Sequence, residues 1–581
     1  MKFRWTVAPP QPLLVGQLAS ALKISPLLAQ CLVNRGLSET ERISAFLQPR
    51  LKNLADPFLL PNMATAIDRL FHARDRQEPL VIFGDYDVDG VTSTALLLEV
   101  FQKLGWHAQF YLPHRMDEGY GLSQDGVENC LKKFPTTLLL AVDCGSTAVE
   151  SIAWLREHGV DVLVLDHHQV SSPAPSAVAL VNPQLSKTPD ANKNGEQTAT
   201  PTFTELCSAG LAFKLAHALV KRGRDASLPG FIDFDLRPLL DLVALGTIAD
   251  LVPLTGENRL LVSAGLERLS TTQRPGLIAL KKVAQCPEQL GTYEVGFQLA
   301  PRLNASGRLE TAEESLHLLL ARDESEATPI AHSLDARNRE RQKIERSIVE
   351  EVLGAVRAKF NPETDFVIVE GQLMWHVGVV GIVASRVLQE FYRPTIIIGG
   401  EGEEWRGSGR SIAGFDMAAA LRECADLLVR HGGHAMAAGL SIASSNLDAF
   451  RQRLNDHARR TLKPADLQAP LRLDGEVGLD ELTLDRLAEL DRLRPTGMGN
   501  PNIQFCARGL SHQRPLQRMG ADKQHVKMWV TDGAGTHEAV WWGAGNGSLP
   551  VGKFDLAFAP QINQYNGKRA VQLKVLDWCT A

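Results

Sequence analysis

The sequence has no C-x-x-C pair: its eight cysteines (31, 130, 144, 207, 286, 424, 506 and 579) are scattered singly along 581 residues. That scatter argues against a zinc ribbon or a disulfide framework and for a reducing compartment, with the cytoplasm as the default. Long hydrophobic runs are missing too. No window approaches the ~18 uninterrupted apolar residues a membrane span needs, and the opening MKFRWTVAPPQPLL has no run long enough for a signal peptide, so no membrane association is expected. Tandem repeats are absent. An overall positive charge, the usual mark of a nucleic-acid partner, is lacking as well, since the net charge is -6. The average hides a basic end: residues 495–581 hold nine Lys/Arg against five Asp/Glu, a net +4. With 44% hydrophobic and 22% charged residues the chain is neither disordered nor fibrous. Its length predicts about three or four domains.

From about residue 78 apolar runs alternate with helical patterns, as PLVIFG, VTSTALLLEVFQKLG, AQFYLP, TTLLLAVDCG, TAVESIAWLREHG and VDVLVLDHH. Runs such as LVIF and VLVL are continuous, as expected of strands covered on both faces of a parallel sheet. A polar loop near 186–202 interrupts this βαβ region, which continues to about 320. The charged stretch SLDARNRERQKIERSIVEEVLGAVRAKF predicts a long helix joining two lobes. A second α/β unit follows, with strands at DFVIVEG and PTIIIGG, helices at 380–391, 416–429 and 446–460, and the glycine clusters GSGRS and HGGHAMAAG. After Pro464 short runs with turn residues, including a hairpin signal at Asn566-Gly567, predict a small β-barrel. The fold class is therefore α/β with a carboxyl-terminal barrel. The domains are expected at 1–60 (helical), 61–320, 321–360 (linking helix), 361–463 and 464–581.

The strongest constellation is VIFGDYDVDGVTS. Asp85, Asp87 and Asp89 recur at every second residue after a buried strand, and on an extended chain all three share one face. Three crowded carboxylates repel one another unless a cation sits among them. The plainer reading is an Asx-rich turn capping the next helix. Two later strands weigh for the cation, because one ends in Asp143 and another in Asp166, His167 and His168. The carboxyl ends of parallel strands share one edge, where ligands bind. Asp250 interrupts the apolar LVALGTIADLVPL, and taken alone reads as a helix cap. Oxygen and imidazole donors without thiolates suit Mn²⁺ or Mg²⁺, and five or six acids suffice for two ions. Two ions about 3.5–4 Å apart can stabilise both the entering and the leaving oxygens of a phosphoryl displacement. The site reads as a metal-dependent phosphoesterase.

DYDVDGVTS, VDCGS, DHH and the later Asp250 resemble the four motifs of the DHH phosphoesterase superfamily. GVVGIVASR, GSGRS and GGHAMAAG resemble its associated second domain, called DHHA1, and PRLNASGRL resembles the nuclease branch, whose members are single-strand-specific 5′→3′ exonucleases. The resemblance implies a DHH catalytic domain, a DHHA1-like substrate-binding domain and an OB-like barrel. It implies Asp87, Asp89, Asp143, His167 and Asp250 as metal ligands, Asp85 completing the acidic cluster, and His168 facing the substrate. One departure stands out: the superfamily's first motif often carries a histidine four residues before the first aspartate of its D-x-D pair, where this chain has Phe83. Asp85 then takes the ligand role.

By residue type alone, Arg386, Ser408, Arg410 and His434 belong to salt bridges and turns. The resemblance reverses that reading and makes them contacts to an anionic strand, joined by Arg115, Arg302, Asn304 and Arg308; Arg115, Ser408 and Arg410 are assigned to a terminal 5′ phosphate. The basic end with Phe505, Trp529, Trp541, Trp542, Phe554, Phe558, Tyr565 and Trp578 fits a barrel that stacks single-strand bases, although alternation buries most of those rings. The expected partner is single-stranded DNA, and the resemblance adds a single-strand-binding protein and a helicase, with the chain itself a monomer. Two other readings remain at this point: small nucleotide substrates, against which the barrel and long helix weigh, and a non-catalytic scaffold, for which eroded acids would be the signature.

Overall fold

The computed structural model describes residues 2–114, 117–119, 121–187, 204–309, 311–545 and 547–581. The chain forms two compact units, neither continuous in sequence: Ser44–Arg339 with Leu493–Pro501, and Met1–Ile43 with Glu340–Arg492 and Asn502–Ala581. No single described helix is long and apolar enough to cross a membrane.

The unit beginning at Ser44 is built on five parallel strands, β1 (Leu80–Gly84), β2 (Ala108–Tyr111), β3 (Leu138–Val142), β4 (Asp161–Leu165) and β5 (Ala179–Val181), in the order β2-β1-β3-β4-β5. Every residue of β1 and β3 is buried. Ile82, Leu140 and Leu163 point into one apolar cluster and Val81, Leu139 and Val162 into another. This is why the sequence runs are unbroken: both faces are covered. Helices α1 (Val88–Leu104), α2 (Ser208–Asp225) and α3 (Leu240–Ala249) carry much of the first cluster. The polar loop expected near 186–202 lies almost wholly outside the described residues.

Helix α4 (Glu324–Lys359) begins in this unit and ends in the other. At 36 residues it is about 54 Å long. The second sheet contains β6 (Ile368–Leu373), β7 (Thr395–Gly400), β8 (Glu404–Arg410), β9 (Leu428–Gly433) and β10 (Ala437–Ala443), ordered β9-β10-β8-β7-β6, and only β6 and β7 are parallel. Helix α5 (Val380–Phe391) follows β6 as expected. The helix expected at 416–429 is shorter, Met417–Arg422, and the chain then turns into β9. The glycines of GSGRS lie in β8, and those of HGGHAMAAG at the end of β9 and in β10. A Cβ at Gly407 would lie 2.8 Å from Ile398 Cγ1, so close packing against β7 requires glycine there.

The barrel has seven strands, β11 (Gly475–Glu476), β12 (Phe505–His512), β13 (Gln517–Met519), β14 (His525–Thr531), β15 (Thr536–Trp541), β16 (Phe554–Tyr565) and β17 (Lys568–Thr580). They follow the order β11-β12-β16-β17-β15-β14-β13, closed by pairing of β12 with β14. Asn566 and Gly567 turn between β16 and β17 with φ of 47° and 74°, the left-handed pair a tight hairpin requires. Phe505, Phe554 and Phe558 are core, whereas Trp542 and Tyr565 are exposed.

Two expectations about domain extents need correction. Residues 1–60 are not one helical segment: the strand Arg4–Val7 pairs in parallel with Pro470–Leu473, and the chain changes unit after Ile43. Residues 464–581 are not one piece either, because Leu493–Pro501 packs in the unit of the parallel sheet. Buried Arg259 holds this strap. It donates to the carbonyls of Leu493 (3.0 Å), Arg494 (2.8 Å), Pro495 (3.3 Å) and Phe46 (2.9 Å), and its guanidinium lies 3.7 Å from the Phe46 ring centroid.

Candidate metal centre

Strand register assembles the first part of the site. Gly84 is aligned with Val142, and Val142 with Leu165, so the next residues, Asp85, Asp143 and Asp166, emerge at one level on the carboxyl edge. Asp143 adopts φ of 64°, a left-handed conformation that Asp tolerates better than most side chains but that still carries strain.

Asp85, Asp87 and Asp89 do not line one extended face. The strand stops at Gly84; Asp87 caps α1, its Oδ1 accepting from the N–H groups of Asp89 (2.9 Å) and Gly90 (3.2 Å), and Asp89 lies in the first helical turn. A Cβ at Gly90 would come 2.5 Å from the Asp85 carbonyl oxygen, so the turn closes only around glycine.

The supports of these acids come from far along the chain. Asp89 accepts from the N–H of Ser208 (2.7 Å) and of Ala209 (2.8 Å) at the start of α2, whose amino-terminal dipole favours an anion. Ser208 Oγ donates to Asp143 Oδ1 at 2.9 Å. Gly246 of α3 packs so closely that a Cβ would lie 2.5 Å from Thr92 Oγ1 and 2.9 Å from Asp89 Oδ1. Asp250 follows as the carboxyl-terminal cap of α3. Sequence reasoning passed over Ser208 and Gly246; the only local signal was the small-residue run Cys207-Ser208-Ala209-Gly210 opening a helix.

Asp166 has a different role from the acids beside it. Its carboxylate accepts from the N–H groups of Ser146 (3.0 Å), His167 (2.8 Å) and His168 (3.2 Å) and pairs with His168 Nδ1 at 2.7 Å. Burial would raise its pKa, but the His168 bond and the other donors outweigh it and hold the carboxyl below its usual range. In return His168, which burial alone would depress, is pushed up to about 9 by the Asp166 bond and charge. Asp166 thus orients His168 and keeps it protonated.

His167 is the opposite case. Burial and then the neighbouring His168 charge bring it down to about 4, so it is neutral at pH 7. Its Nε2 lies 3.4 Å from Asp143 Oδ1, 3.5 Å from Asp250 Oδ2 and 3.9 Å from Asp89 Oδ2. A neutral nitrogen at those distances makes no ion pair, and both His167 Nε2 and Asp250 Oδ2 are buried without a hydrogen-bond partner among the described residues. The carboxyls respond to the crowding. Burial and Asp87 push Asp89 up to about 6, burial and Asp89 push Asp250 up to about 9, and Asp143 rises through burial and then the charges of Asp89, Asp87 and Asp85.

These are the properties of side chains placed to share a cation. Two separate sets have ligand atoms within 4.8 Å of one another: Asp89, His167 and Asp250, and Asp85, Asp87 and Asp143. Asp143 also groups with His167 and His168, which puts it between the two. Cys144 and Cys207 sit beside the cluster, but burial and then the nearby carboxylates raise both thiols far above their usual range, leaving oxygen and nitrogen as the donors. The donor set fits Mn²⁺ or Mg²⁺.

The other sequence candidates are held in diverse ways. Asn304 Oδ1 accepts from the Val88 N–H at 3.2 Å, bracing the Asp87 turn. Arg302 donates to Asp335 (2.9 Å) and to the Gln298 carbonyl (2.6 Å). Arg115 and the Arg308 side chain fall outside the described residues. In the other unit Arg386 pairs with Glu345 of α4 at 3.2 Å, Arg410 Nη1 donates to Ser408 Oγ at 2.8 Å, and His434 is exposed. A Cβ at Gly381 in the first turn of α5 would lie 2.9 Å from Arg410 and 3.0 Å from Ser408, so these polar groups sit against that helix start.

Residues 79–247 match the DHH family, N-terminal domain, residues 364–460 the DHHA1 domain, and residues 473–577 the RecJ OB domain. The chain is 37% identical over 582 residues to the single-stranded-DNA-specific exonuclease RecJ of Bacillus subtilis, covering 99% of this chain and 71% of that protein. It is 33% identical to the RecJ of Escherichia coli, covering 95% of both. A crystal structure of RecJ in complex with Mn²⁺ from Thermus thermophilus matches with a TM-score of 0.83 and 31% identity, over 100% of this chain and 80% of that one. With three matched domains in this order and relatives above 30% identity along nearly its whole length, the chain belongs to the RecJ family of the DHH phosphoesterases.

Proposed function

We propose that this protein is a metal-dependent 5′→3′ exonuclease that hydrolyses phosphodiester bonds of single-stranded DNA to nucleotides and acts in DNA repair and recombination. The observation that carries the reading is the paired ligand sets around Asp143, in a chain whose relatives are named single-stranded-DNA-specific exonucleases. Asp85, Asp87 and Asp143 would hold one Mn²⁺ or Mg²⁺ ion and Asp89, His167 and Asp250 a second, and the pair would supply charge to the entering and leaving oxygens. Asp143 belongs to the first set and lies 3.4 Å from His167 Nε2 of the second. Ser208 and Ala209 fix Asp89 so that it needs no reorganisation when substrate arrives. His168, kept protonated by Asp166, offers its proton and charge toward the scissile phosphate.

Arg115, Ser408 and Arg410 take a terminal 5′ phosphate, while Arg302, Asn304, Arg308, Arg386 and His434 belong to the strand path. The Arg410–Ser408 bond supports the first assignment because it preorients the guanidinium. We assign 61–320 to the catalytic domain, 321–360 to the linking helix, 361–463 to the DHHA1-like domain and 464–581 to the barrel, less the strap. The protein works in the cytoplasm as a monomer, with a single-strand-binding protein and a helicase as its partners.

Digestion of one single strand, labelled at each end in turn, tests the reading. With Mn²⁺ the 5′ label is released first as a mononucleotide; chelation stops release, and a duplex of the same sequence persists. An intact strand in the presence of Mn²⁺, or release from the 3′ end first, overturns it.

A further inference from the structure

The carboxyl edge of the parallel sheet carries a fourth polar residue beside Asp85, Asp143 and Asp166. Leu165 of β4 is aligned with Val181 of β5, so Asn182 emerges at the level of those three acids, an amide at the end of their row. It is fully buried, as are Ser146 and Asp166 next to it. Its Nδ2 donates to the His168 carbonyl and to Ser146 Oγ, each at 2.8 Å, which uses both amide protons. Its Oδ1 accepts from the Gln184 N–H at 2.8 Å, and the Gln184 side chain reaches back to donate to the His167 carbonyl at 3.2 Å.

His167 and His168 lie in neither helix nor strand, so no ladder fixes their backbone. Side chains do so instead. Asp166 Oδ1 accepts from both N–H groups, at 2.8 Å and 3.2 Å, while Gln184 and Asn182 donate to the two carbonyls. Ser146 closes the circuit, its N–H donating to Asp166 Oδ2 at 3.0 Å and its hydroxyl accepting from Asn182. His167 Nε2, which faces Asp143 and Asp250, has no hydrogen-bond partner among the described residues, so its place is set by the backbone that carries it. The plainer account is that Asn182 only satisfies buried polar groups at a strand end. An ionised acid would serve the Gln184 N–H equally well and would continue the row, but it has no proton to donate. Here two donors converge on the carbonyl that follows a candidate metal ligand and on the residue that supports Asp166.

We propose that Asn182, with the Gln184 side chain that it anchors, is a positioning residue of the metal centre: it fixes the His167–His168 backbone so that one imidazole is presented to the cation and the other to the phosphate. The role rests on the nuclease reading for the cation and the phosphate, and deepens it by naming what holds the two rings in place. Groups that orient a ligand from outside typically change metal affinity or activity by about 10–100-fold when removed.

The test is Asn182→Leu, which keeps the approximate volume and removes the donors. Circular dichroism confirms the fold, Mn²⁺ affinity is measured by calorimetric titration without DNA, and kcat and KM are measured at saturating Mn²⁺ on a 5′-labelled single strand. Mn²⁺ affinity should fall by about tenfold or more, and kcat by about 10–100-fold with KM within about twofold of wild type. In a His168→Ala background the same substitution should cost clearly less in kcat, because part of its effect passes through that ring; a general disturbance of the fold would multiply the two losses. Wild-type Mn²⁺ affinity, or losses that multiply fully, overturns the positioning role. If Asn182→Leu does not fold, Gln184→Ala, at a half-buried position, removes the bond to the His167 carbonyl alone: weakened Mn²⁺ binding supports the role and unchanged binding overturns it. The titration also separates the two readings. Weakened Mn²⁺ binding in the variant of a protein that cleaves no strand removes the nuclease reading and leaves the positioning role, whereas cleavage by wild type with unchanged Mn²⁺ affinity in the variant removes the positioning role alone.

Discussion

Removing the divalent metal should make this protein less stable as pH rises, the opposite of what buried, salt-bridged acids normally do. Asp89 and Asp250 have folded pKa values of about 6 and about 9, above the usual carboxyl value of about 4. A group that binds its proton more tightly in the folded state contributes stability that is complete below the unfolded pKa and is lost as pH rises through the folded one. His168, raised to about 9, acts in the same direction between pH 6.5 and 9. His167, lowered to about 4, works oppositely but only between about 4 and 6.5, so it does not interfere above that window. Each pH unit through which one such carboxyl stays protonated in the fold alone is worth about 1.4 kcal/mol. Asp250 by itself can therefore cost up to about 3 kcal/mol between pH 6.5 and 8.5. Metal competes for the same oxygens, so loading should release about one proton at pH 7 and fewer above pH 9. The assay is thermal unfolding of the protein with chelator and with Mn²⁺ at pH 6.5 and 8.5, beside calorimetric titration of Mn²⁺ in buffers of different ionisation enthalpy. The stabilisation by Mn²⁺ should be larger at pH 8.5. A metal-free protein equally stable at both pH values, together with no proton release at pH 7, would refute the account of the cluster.

Asp143→Asn keeps an acceptor for Ser208 Oγ but removes a charge from the centre of the cluster, so activity should vanish while the metal-free protein melts no lower than wild type; nuclease assay and thermal unfolding check both. Gly246→Ala inserts a methyl where Thr92, Ala209 and Asp89 lie within 2.9 Å, and should cost about 1–3 kcal/mol and weaken Mn²⁺ binding, as measured by denaturant unfolding and metal titration. Arg259→Ala strips a buried donor from four carbonyls and should destabilise the catalytic unit by about 3 kcal/mol or more, seen as accelerated proteolysis within residues 493–501.

The sheet and the acids at its edge were legible because both are local signals. Unbroken runs such as LVIF mark a strand covered twice, and an acid after each run marks the edge. The PRLNASGR stretch was less legible. Arg302 reads as a strand contact, and the bond that orients its guanidinium comes from Asp335, a partner 33 residues away that no spacing rule selects. The triplet Asp85, Asp87 and Asp89 does not keep the single face that its spacing predicts, since the helix begins at Val88 and converts an extended alternation into a cap and a first turn. What holds Asp89 lies about 120 residues downstream, in the N–H groups of Ser208 and Ala209, and backbone donors leave no mark on side-chain patterns. Strand Arg4–Val7 is too short to signal anything without its partner at Pro470–Leu473.

Leu493–Pro501 has a consequence for how the molecule is made. A ribosome that has passed Asp250 has produced every proposed metal ligand, but the three strap carbonyls that accept from Arg259, and the one that braces the loop after Asp250, do not yet exist. They arrive only when residue 501 has left the exit tunnel, near the end of synthesis. A nascent chain therefore carries an unfinished nuclease, with a buried guanidinium seeking partners, until almost the whole protein is present. The same interleaving means that no single cut in the chain yields either unit intact.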